Sequence, residues 1–285
     1  MGNIMGLSIS RLFPAQQREL ALEGLYLEHE LYSKGNPGKP FVYSNFITSL
    51  DGRIAIADEA HSTHVVPAAS ANSRDWRLYQ ELAGQADLLV TSGRYFRQSL
   101  LGEAQDELPL GSSQAFDDIR EWRAARGLAP QPDIAIMSSS LNIPLAALEP
   151  YRTRRIYVVT GEEAEPGRVA DLQHNGITVI CAGSGIKVNG RRMIDELAQH
   201  DYRSIYAIAG PAVFHTLLES HVVDRLYLTI TQQILGGNSY DTLSRGSMLQ
   251  PAEGMQLIEL CHDPHAPDGA GQLFGVFEAG KQTTG

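Results

Sequence analysis

Short apolar runs alternate with amphipathic segments over most of the chain. The first run begins at Phe41 and stops at Asp51-Gly52, a dipeptide that favours a turn. Further runs follow at 88–90, 134–137, 156–159, 177–180, 205–208 and 226–231. Such runs are typical of buried strands, because the central strands of a parallel sheet are covered on both faces.

Helical periodicity fills the intervals between these runs. Asn72-Ser73 is a suitable N-cap for a helix that carries Trp76, Tyr79 and Leu82. Further helices are predicted near 116–122, over 167–174, over 191–200 and after residue 210. Repeated strand-helix units followed by the apolar runs 255–260 and 273–277 predict an α/β fold. Its mostly parallel central sheet ends in an antiparallel C-terminal strand pair and carries helices on both faces.

The N-terminal segment follows a different pattern. Leucines at positions 12, 20, 22, 25, 27 and 31 recur among Glu and Gln, and the stripe ends at the Gly- and Pro-containing segment 34–38. We therefore predict a helical N-terminal arm over 1–38 and a core over 39–280, within a single domain of 1–285. Residues 97–114 are polar and predict a surface excursion, and the last few residues are expected to be disordered.

The charge balance narrows the class of ligand. A net charge of -10 argues against nucleic acid or an anionic membrane as partner, and leaves a small molecule. Cys181 and Cys261 stand far apart, with no further Cys or His at metal-ligand spacing, so we expect no metal site. No stretch approaches the ~20 apolar residues of a membrane span. We expect a cytoplasmic protein.

The turn after the strand at 205–208 is the most informative local feature. It consists of Ala209, Gly210, Pro211 and Ala212, and an amphipathic helix continues from Val213. Glycine allows close approach of a ligand, proline suits the first helical position, and the exposed N–H groups attract phosphate. An ordinary tight turn is the alternative. We predict that residues 209–213 hold the phosphates of a cofactor.

Small polar residues follow three other predicted strands. They are Thr91, Ser92, Gly93 and Arg94 after the run at 88–90, Ser139 and Ser140 after 134–137, and Thr160 after 156–159. Hydroxyl groups and the Arg94 guanidinium suit a ribose or the 2′-phosphate of NADPH. Each group alone is consistent with a solvated loop, but together they predict a nucleotide cofactor site.

The end of the first strand carries candidate substrate contacts. We expect Asn45, Thr48 and Ser49 to face the substrate and Asp51 to orient it. The proton of the reaction would come from ordered water or from Asp51. Asp-Gly turns also occur commonly in purely structural positions. No Ser-His-Asp arrangement can be assembled from the sequence, so covalent catalysis is unsupported.

Three segments together resemble the reductase half of the bacterial riboflavin-biosynthesis deaminase-reductase family. They are FVYSNFITSLDGRIA (41–55), ADLLVTSG (86–93) and the segment 205–237 with its "AGPA", "LLES" and "LGG". The resemblance extends over about residues 40 to 278 and implies a dihydrofolate reductase-like fold. It also implies NADPH-dependent reduction of a ribosylaminouracil phosphate by direct hydride transfer, without metal or covalent intermediate. The zinc motifs of the deaminase half do not occur.

The chain departs from the family pattern on the substrate side. The family's Glu before its glycine pair is Ile208 here, its first Gly is Ala209, and an Arg used on the substrate phosphate falls near Ala83. Arg94 or Arg97 is the candidate replacement, and we count Arg97 among the substrate contacts. Two alternatives stay open: an NADPH reductase for another heterocycle or carbonyl, and a nucleotide-binding protein without catalysis. A homodimer is expected, because the C-terminal strand pair would expose an edge.

Overall fold

The computed structural model describes residues 4–58, 63–104, 107–266 and 269–280. The strands are β1 (Ile9–Phe13), β2 (Gln17–Leu20), β3 (Phe41–Ser49), β4 (Ala55–Asp58), β5 (Thr63–Val65), β6 (Leu88–Ser92), β7 (Asp133–Met137), β8 (Ile156–Thr160), β9 (Thr178–Cys181), β10 (Ser204–Ala207), β11 (Arg225–Thr231), β12 (Tyr240–Asp241), β13 (Met255–Asp263) and β14 (Gln272–Ala279). The α-helices are α1 (Ser73–Gly84), α2 (Gly93–Leu100), α3 (Asp117–Ala125), α4 (Pro166–His174), α5 (Gly190–Ala198) and α6 (Pro211–Glu219). Within these ranges, no helix has the length and apolar character that a membrane span requires.

The strands form an 11-stranded sheet and a separate 3-stranded sheet. The large sheet has the order β2-β1-β13-β14-β11-β3-β10-β6-β7-β8-β9, and the small sheet the order β12-β4-β5. From β11 to β9 all neighbours are parallel, whereas β14, β13, β1 and β2 continue the sheet in antiparallel pairing. The predicted α/β fold with an antiparallel C-terminal pair is confirmed.

Both faces of the sheet are covered by helices. Successive residues of β3 point to opposite sides, so Val42 packs with α5 and α6 while Tyr43 packs with α1 and α3. Phe214 of α6 and Leu82 of α1 are buried in these two layers. Asn72 caps α1 as predicted, because its side-chain oxygen accepts hydrogen bonds from the N–H groups of residues 74 and 75.

The prediction of a helical N-terminal arm is wrong. The segment forms β1, β2 and short 3-10 helices at Leu27–His29 and Leu31–Ser33. Glu19 and Glu30 have φ values of 62° and 47°, which no continuous right-handed helix accommodates. Four of the six leucines that suggested a helical stripe are buried against the sheet and α1, whereas Leu12 is exposed and Leu20 is half-buried. Leu22, Leu25, Leu27 and Leu31 belong to the same apolar cluster as Leu82.

Buried polar contacts hold this arm on the core. The Glu81 carboxylate accepts the N–H groups of Gly24 at 2.6 Å and Tyr26 at 2.9 Å. It also accepts from Arg77 Nε at 2.8 Å. His29 lies between the Tyr227 hydroxyl, at 2.7 Å, and the Glu259 carboxylate, at 2.9 Å. The described residues of the arm therefore pack against the core through both apolar and polar contacts.

Two further expectations change with the structure. Residues 97–114 are not simply a surface excursion, because Arg97 lies within α2 and Leu108 and Leu110 are buried. The C-terminal strand pair is not an open edge, because β1 covers β13. The homodimer stays a prediction, but the open-edge argument for it does not hold. The last few residues, expected to be disordered, lie outside the described ranges.

Candidate active site

A cavity of about 680 Å³ opens at the carboxyl ends of β3, β6 and β10. Ligands of open α/β sheets bind at this edge, because the loops and helix N-termini that follow the strands meet there. The wall is mainly apolar, with a few polar side chains. Among the predicted site residues, the cavity is lined by Asn45, Thr91, Ser92, Arg94, Ala209, Gly210 and Pro211.

The start of α6 forms one wall. Gly210 is the N-cap residue and Pro211 the first helical residue, as predicted. A Cβ placed on Gly210 would meet nothing within 4 Å, and its φ of -67° carries no strain. The glycine therefore leaves empty space directly before a helix N-terminus. Ala212 is exposed and Val213 packs into the core, and neither is among the lining residues described.

The β6–α2 junction forms a second wall. Thr91, Ser92 and Arg94 face the cavity, and the Arg94 guanidinium donates to the Thr63 hydroxyl at 2.5 Å. Gly93 lies behind them, because a Cβ at this position would approach the Ser138 hydroxyl to 3.0 Å. Two helix N-termini, of α2 and α6, thus border the same cavity.

Four other predicted contacts lie away from the described cavity wall. Ser139 and Ser140 are exposed, and the Thr160 side chain is fully buried. The Arg97 guanidinium donates to the Asn142 carbonyl oxygen at 2.8 Å. Arg94 rather than Arg97 is therefore the cation at the cavity wall in this pair.

The predicted substrate contacts on β3 separate into two groups. Asn45 lines the cavity, and its Oδ1 accepts a hydrogen bond from the Tyr206 hydroxyl at 2.5 Å. This bond leaves the Asn45 amide N–H groups as donors. Thr48 and Ser49 are buried instead, where Thr48 donates to the Ser49 carbonyl oxygen and the Ser49 hydroxyl donates to Asp51.

Asp51 serves the turn rather than the cavity. Its carboxylate accepts from the Ser49 hydroxyl at 2.5 Å and from the Gly236 N–H at 2.8 Å, and it pairs with Arg53 at 2.9 Å. The Ser49 hydrogen bond, followed by the Gly236 N–H, lowers the pKa of Asp51 to about 2. A carboxyl group that is ionised at neutral pH is a poor proton donor. The geometry therefore argues against Asp51 as the proton donor, and its role in catalysis stays a prediction.

Asp75, in the first turn of α1, is an acidic residue that does line the cavity. Burial raises its pKa to about 6, while a hydrogen bond with Thr229 lowers it. Trp76 and Tyr79 of the same helix also line the cavity, and their rings stack at 4.9 Å with an interplanar angle of 16°. Sequence reasoning missed all three. The available signal was the chain direction, because a helix that follows a parallel strand begins at the carboxyl edge of the sheet.

The small sheet closes one side of the cavity. His64 of β5 lies between the Asp241 carboxylate, 2.8 Å from Nδ1, and the Ser239 hydroxyl, 3.0 Å from Nε2. His64 and Asp241 line the cavity, whereas Ser239 is exposed. These contacts tie the β4–β5 hairpin to β12. Such an arrangement is invisible in the sequence, where more than 170 residues separate its members.

The structure locates the residues that depart from the expected family pattern. Ile208 and Ala209 line the cavity, so an apolar wall replaces the charged residue of the pattern. Ala83 belongs to α1 and is completely buried, so a side chain at that position faces the core rather than the cavity.

Comparisons with known proteins agree with this architecture. Residues 40–264 match the sequence model of the RibD C-terminal domain. No curated protein sequence matches the chain. Among solved structures, a pyrimidine reductase-like protein from Corynebacterium diphtheriae has a TM-score of 0.63 at 20% identity, over 86% of this chain and 93% of that one.

Two further structures show the same likeness. The riboflavin biosynthesis reductase Rib7 of Saccharomyces cerevisiae has a TM-score of 0.53 at 14% identity, over 90% of this chain and 99% of that one. The Thermotoga maritima diaminohydroxyphosphoribosylaminopyrimidine deaminase/5-amino-6-(5-phosphoribosylamino)uracil reductase has a TM-score of 0.54 at 15% identity. That match covers 85% of this chain and 57% of the Thermotoga chain. At these identities the likeness shows a shared fold.

Proposed function

Because the chain belongs to the RibD C-terminal domain family, we propose that it is an NADPH-dependent reductase of a phosphorylated ribosylaminopyrimidine. One observation carries this proposal: the glycine start of α6 opens into a cavity that is also bordered by the N-terminus of α2 and by the carboxyl group of Asp75. Cofactor phosphate, cofactor ribose and a polar heterocycle can all be accommodated along these walls.

The residues present fit a nicotinamide cofactor. The open Cβ position of Gly210 allows a pyrophosphate to reach the N–H groups at the start of α6, where the helix dipole also favours negative charge. Thr91 and Ser92 offer hydroxyl groups for a ribose, and Arg94 offers a guanidinium for the 2′-phosphate. When bound, the cofactor would supply a hydride.

The remaining wall suits the acceptor. Trp76 and Tyr79 present a stacked aromatic surface for a planar ring, and Asn45 and Asp75 place a donor and an acceptor in the same cavity. A C=N acceptor gains a hydride at carbon and a proton at nitrogen. We assign that proton to water entering the cavity, because Asp51 is ionised and held in its turn.

Fluorescence titration with NADPH and NADH, followed by turnover measured at the nicotinamide absorbance, tests the proposal. Gly210→Val should weaken NADPH binding about tenfold or more, because the new side chain occupies space that the phosphates need. Gly254→Val is the matched control. A Cβ placed on Gly254 would also meet nothing within 4 Å, and this glycine lies outside the residues that line the cavity.

The outcomes separate the candidate functions. Normal NADPH affinity in Gly210→Val would contradict the phosphate assignment. Tight NADPH binding without oxidation by any ribosylaminopyrimidine phosphate would instead favour a nucleotide-binding protein. Oxidation by another heterocycle or carbonyl compound alone would favour a related reductase.

A further inference from the structure

Three side chains of the small sheet and the segment that leads into it form a hydrogen-bonded row. The Asp241 carboxylate lies 2.8 Å from His64 Nδ1, and the Ser239 hydroxyl lies 3.0 Å from His64 Nε2. Exposure rises along this row, because Asp241 is buried, His64 is half-buried and Ser239 is exposed. A solvent-facing hydroxyl is therefore connected through an imidazole to a buried carboxylate.

The carboxylate decides which nitrogen of His64 carries the proton. A carboxylate is an acceptor only, so a neutral ring must place its proton on Nδ1 to make this bond. Nε2 is then an acceptor, and the Ser239 hydroxyl is the donor of the second bond. This direction of hydrogen bonding prepares a serine hydroxyl for attack, because the neighbouring imidazole can take up its proton.

A second cavity, of about 660 Å³, lies beside the row and is large enough for a small molecule. Besides His64 and Ser239, its wall contains two basic side chains and one acidic side chain, Arg94, Arg245 and Asp58. Arg245 donates to Asp241 Oδ1 at 3.4 Å, and this contact uses one of the five N–H donors of a guanidinium. Negative charge that develops on a carbonyl oxygen beside Ser239 would be stabilised by these cations.

The row runs from one cavity to the other. Among the described residues, Asp241 lines the first cavity, at the carboxyl ends of β3, β6 and β10, while His64 lines both and Ser239 lines the second. The hydroxyl therefore lies outside the surface that the proposed reductase would use.

We propose that Ser239, His64 and Asp241 form a second catalytic centre, which hydrolyses small carboxylic esters. Ser239 is the nucleophile, His64 the general base, and Asp241 a positioning residue that fixes the ring. The Ser239 oxygen attacks the ester carbonyl carbon while its proton passes to His64 Nε2. The C–O bond of the ester then breaks, and the alcohol leaves with that proton. Water, deprotonated by His64, attacks the acyl carbon, so that the carboxylic acid is released and Ser239 regains its proton.

Hydrolysis of p-nitrophenyl acetate tests this activity without a nicotinamide cofactor. The full chain is incubated with the ester at pH 8, and release of p-nitrophenolate is followed by its absorbance. We expect the native chain to exceed the rate in buffer, and Ser239→Ala and His64→Gln to lose about 100-fold or more in kcat/KM. Ser244→Ala is the matched control, because the Ser244 hydroxyl lies 2.9 Å from Nδ1 of a buried histidine, His215. It should retain full activity.

A covalent probe locates the nucleophile. Diisopropyl fluorophosphate phosphorylates a serine oxygen and releases fluoride, so the mass of the native chain should rise by one adduct, which peptide mapping places on Ser239. Labelling of the native chain does not depend on whether any variant folds. Asp241→Asn tests the positioning role: kcat for the ester should fall about 100-fold or more while KM stays within about twofold, because the ring loses the partner that fixes its tautomer.

The results also separate this activity from the proposed reductase. The melting temperature and the NADPH affinity of Ser239→Ala should match those of the native chain, since Ser239 lies outside the described wall of the first cavity. Hydrolysis that persists in Ser239→Ala, labelling of another residue, or native hydrolysis at the rate of buffer alone overturns the proposal. Hydrolysis that depends on Ser239, in a chain that oxidises no NADPH, would support the esterase and contradict the reductase.

Discussion

The Asp75 carboxyl group on α1 and the Thr229 hydroxyl on β11 are joined by a hydrogen bond beside the cavity. This bond lowers the pKa of Asp75, but burial raises it more, and the result is a pKa of about 6. An acid held in this way costs stability whenever it is ionised. Retaining it is consistent with a functional site, where stability is commonly sacrificed.

Asp75→Asn should therefore stabilise the fold at pH 8. The pKa of Asp75 in the folded chain is about 6, which is higher than the ordinary value of 3.8. The contribution of this group to the free energy of unfolding is therefore fully present below about pH 4 and is lost as the pH rises through 6. The shift corresponds to about 3 kcal/mol at most. Urea unfolding at pH 8 and pH 4 checks the prediction: the variant gains stability at the higher pH only. Lower stability at pH 8 would contradict it.

Removal of the Glu81 carboxylate should weaken the packing of the N-terminal arm against the core. Glu81→Ala leaves the N–H groups of Gly24 and Tyr26 and the buried Arg77 without this acceptor. We expect a loss of about 3–5 kcal/mol in the free energy of unfolding, measured with urea. The control is Glu162→Ala, which breaks an exposed pair with Arg192 and should cost less than about 1 kcal/mol. Similar losses in both variants would argue against the buried contact.

Asp51→Asn should affect stability more than turnover. The pKa of Asp51 is lowered from 3.8 to about 2, so its contribution to stability is present above pH 4 and disappears as the pH falls through 2. Thermal unfolding should show a lower melting temperature than the native chain at pH 7, and the gap should close towards pH 2. NADPH affinity should stay within about twofold. A large loss of turnover with unchanged melting temperature would restore a catalytic role for Asp51.

Arg94→Ala should reduce the preference for NADPH over NADH. Arg94 lines the cavity, and a lost guanidinium-phosphate contact is expected to cost about tenfold or more in NADPH affinity. The comparison variant is Arg97→Ala, whose guanidinium donates to the Asn142 carbonyl oxygen instead. Fluorescence titration with both nucleotides measures the effect. If only Arg97→Ala lost the preference for NADPH over NADH, the phosphate contact would belong to Arg97 rather than to Arg94.

Much of the sheet follows from local pattern. The apolar runs after residue 40 became strands because parallel strands are buried on both faces, which is a strong and local signal. The Gly210-Pro211 helix start was predictable for a similar reason, since residue type alone favours that geometry. Asn45, Thr91, Ser92 and Arg94 were predicted to lie together because they stand in or directly after those strands, and all four line the cavity.

Other features depend on contacts that no local pattern encodes. The leucines of the arm resemble a helical stripe, yet pairing of β1 with β13 and burial against α1 override that periodicity. Asp51 stands in a plausible position for catalysis, but its hydrogen bond to Gly236, far along the chain, holds it in a turn. The contact between His64 and Asp241 likewise forms only when β12 pairs with β4.

The alternating strands and helices after residue 40 and the glycine-proline start of α6 can be predicted from the amino-acid sequence without any tertiary information. Hydrophobic periodicity and the preferences of turn-forming residues act over a few positions, so they can be recognised in the sequence itself. Which of the two aspartates Asp51 and Asp75 lines the cavity is settled by the folded structure instead. Burial beside Thr229 gives Asp75 its raised pKa, and hydrogen bonds from Ser49 and Gly236 give Asp51 its lowered one. Desolvation and partner geometry are properties of the folded chain, and they separate two aspartates that the sequence alone does not.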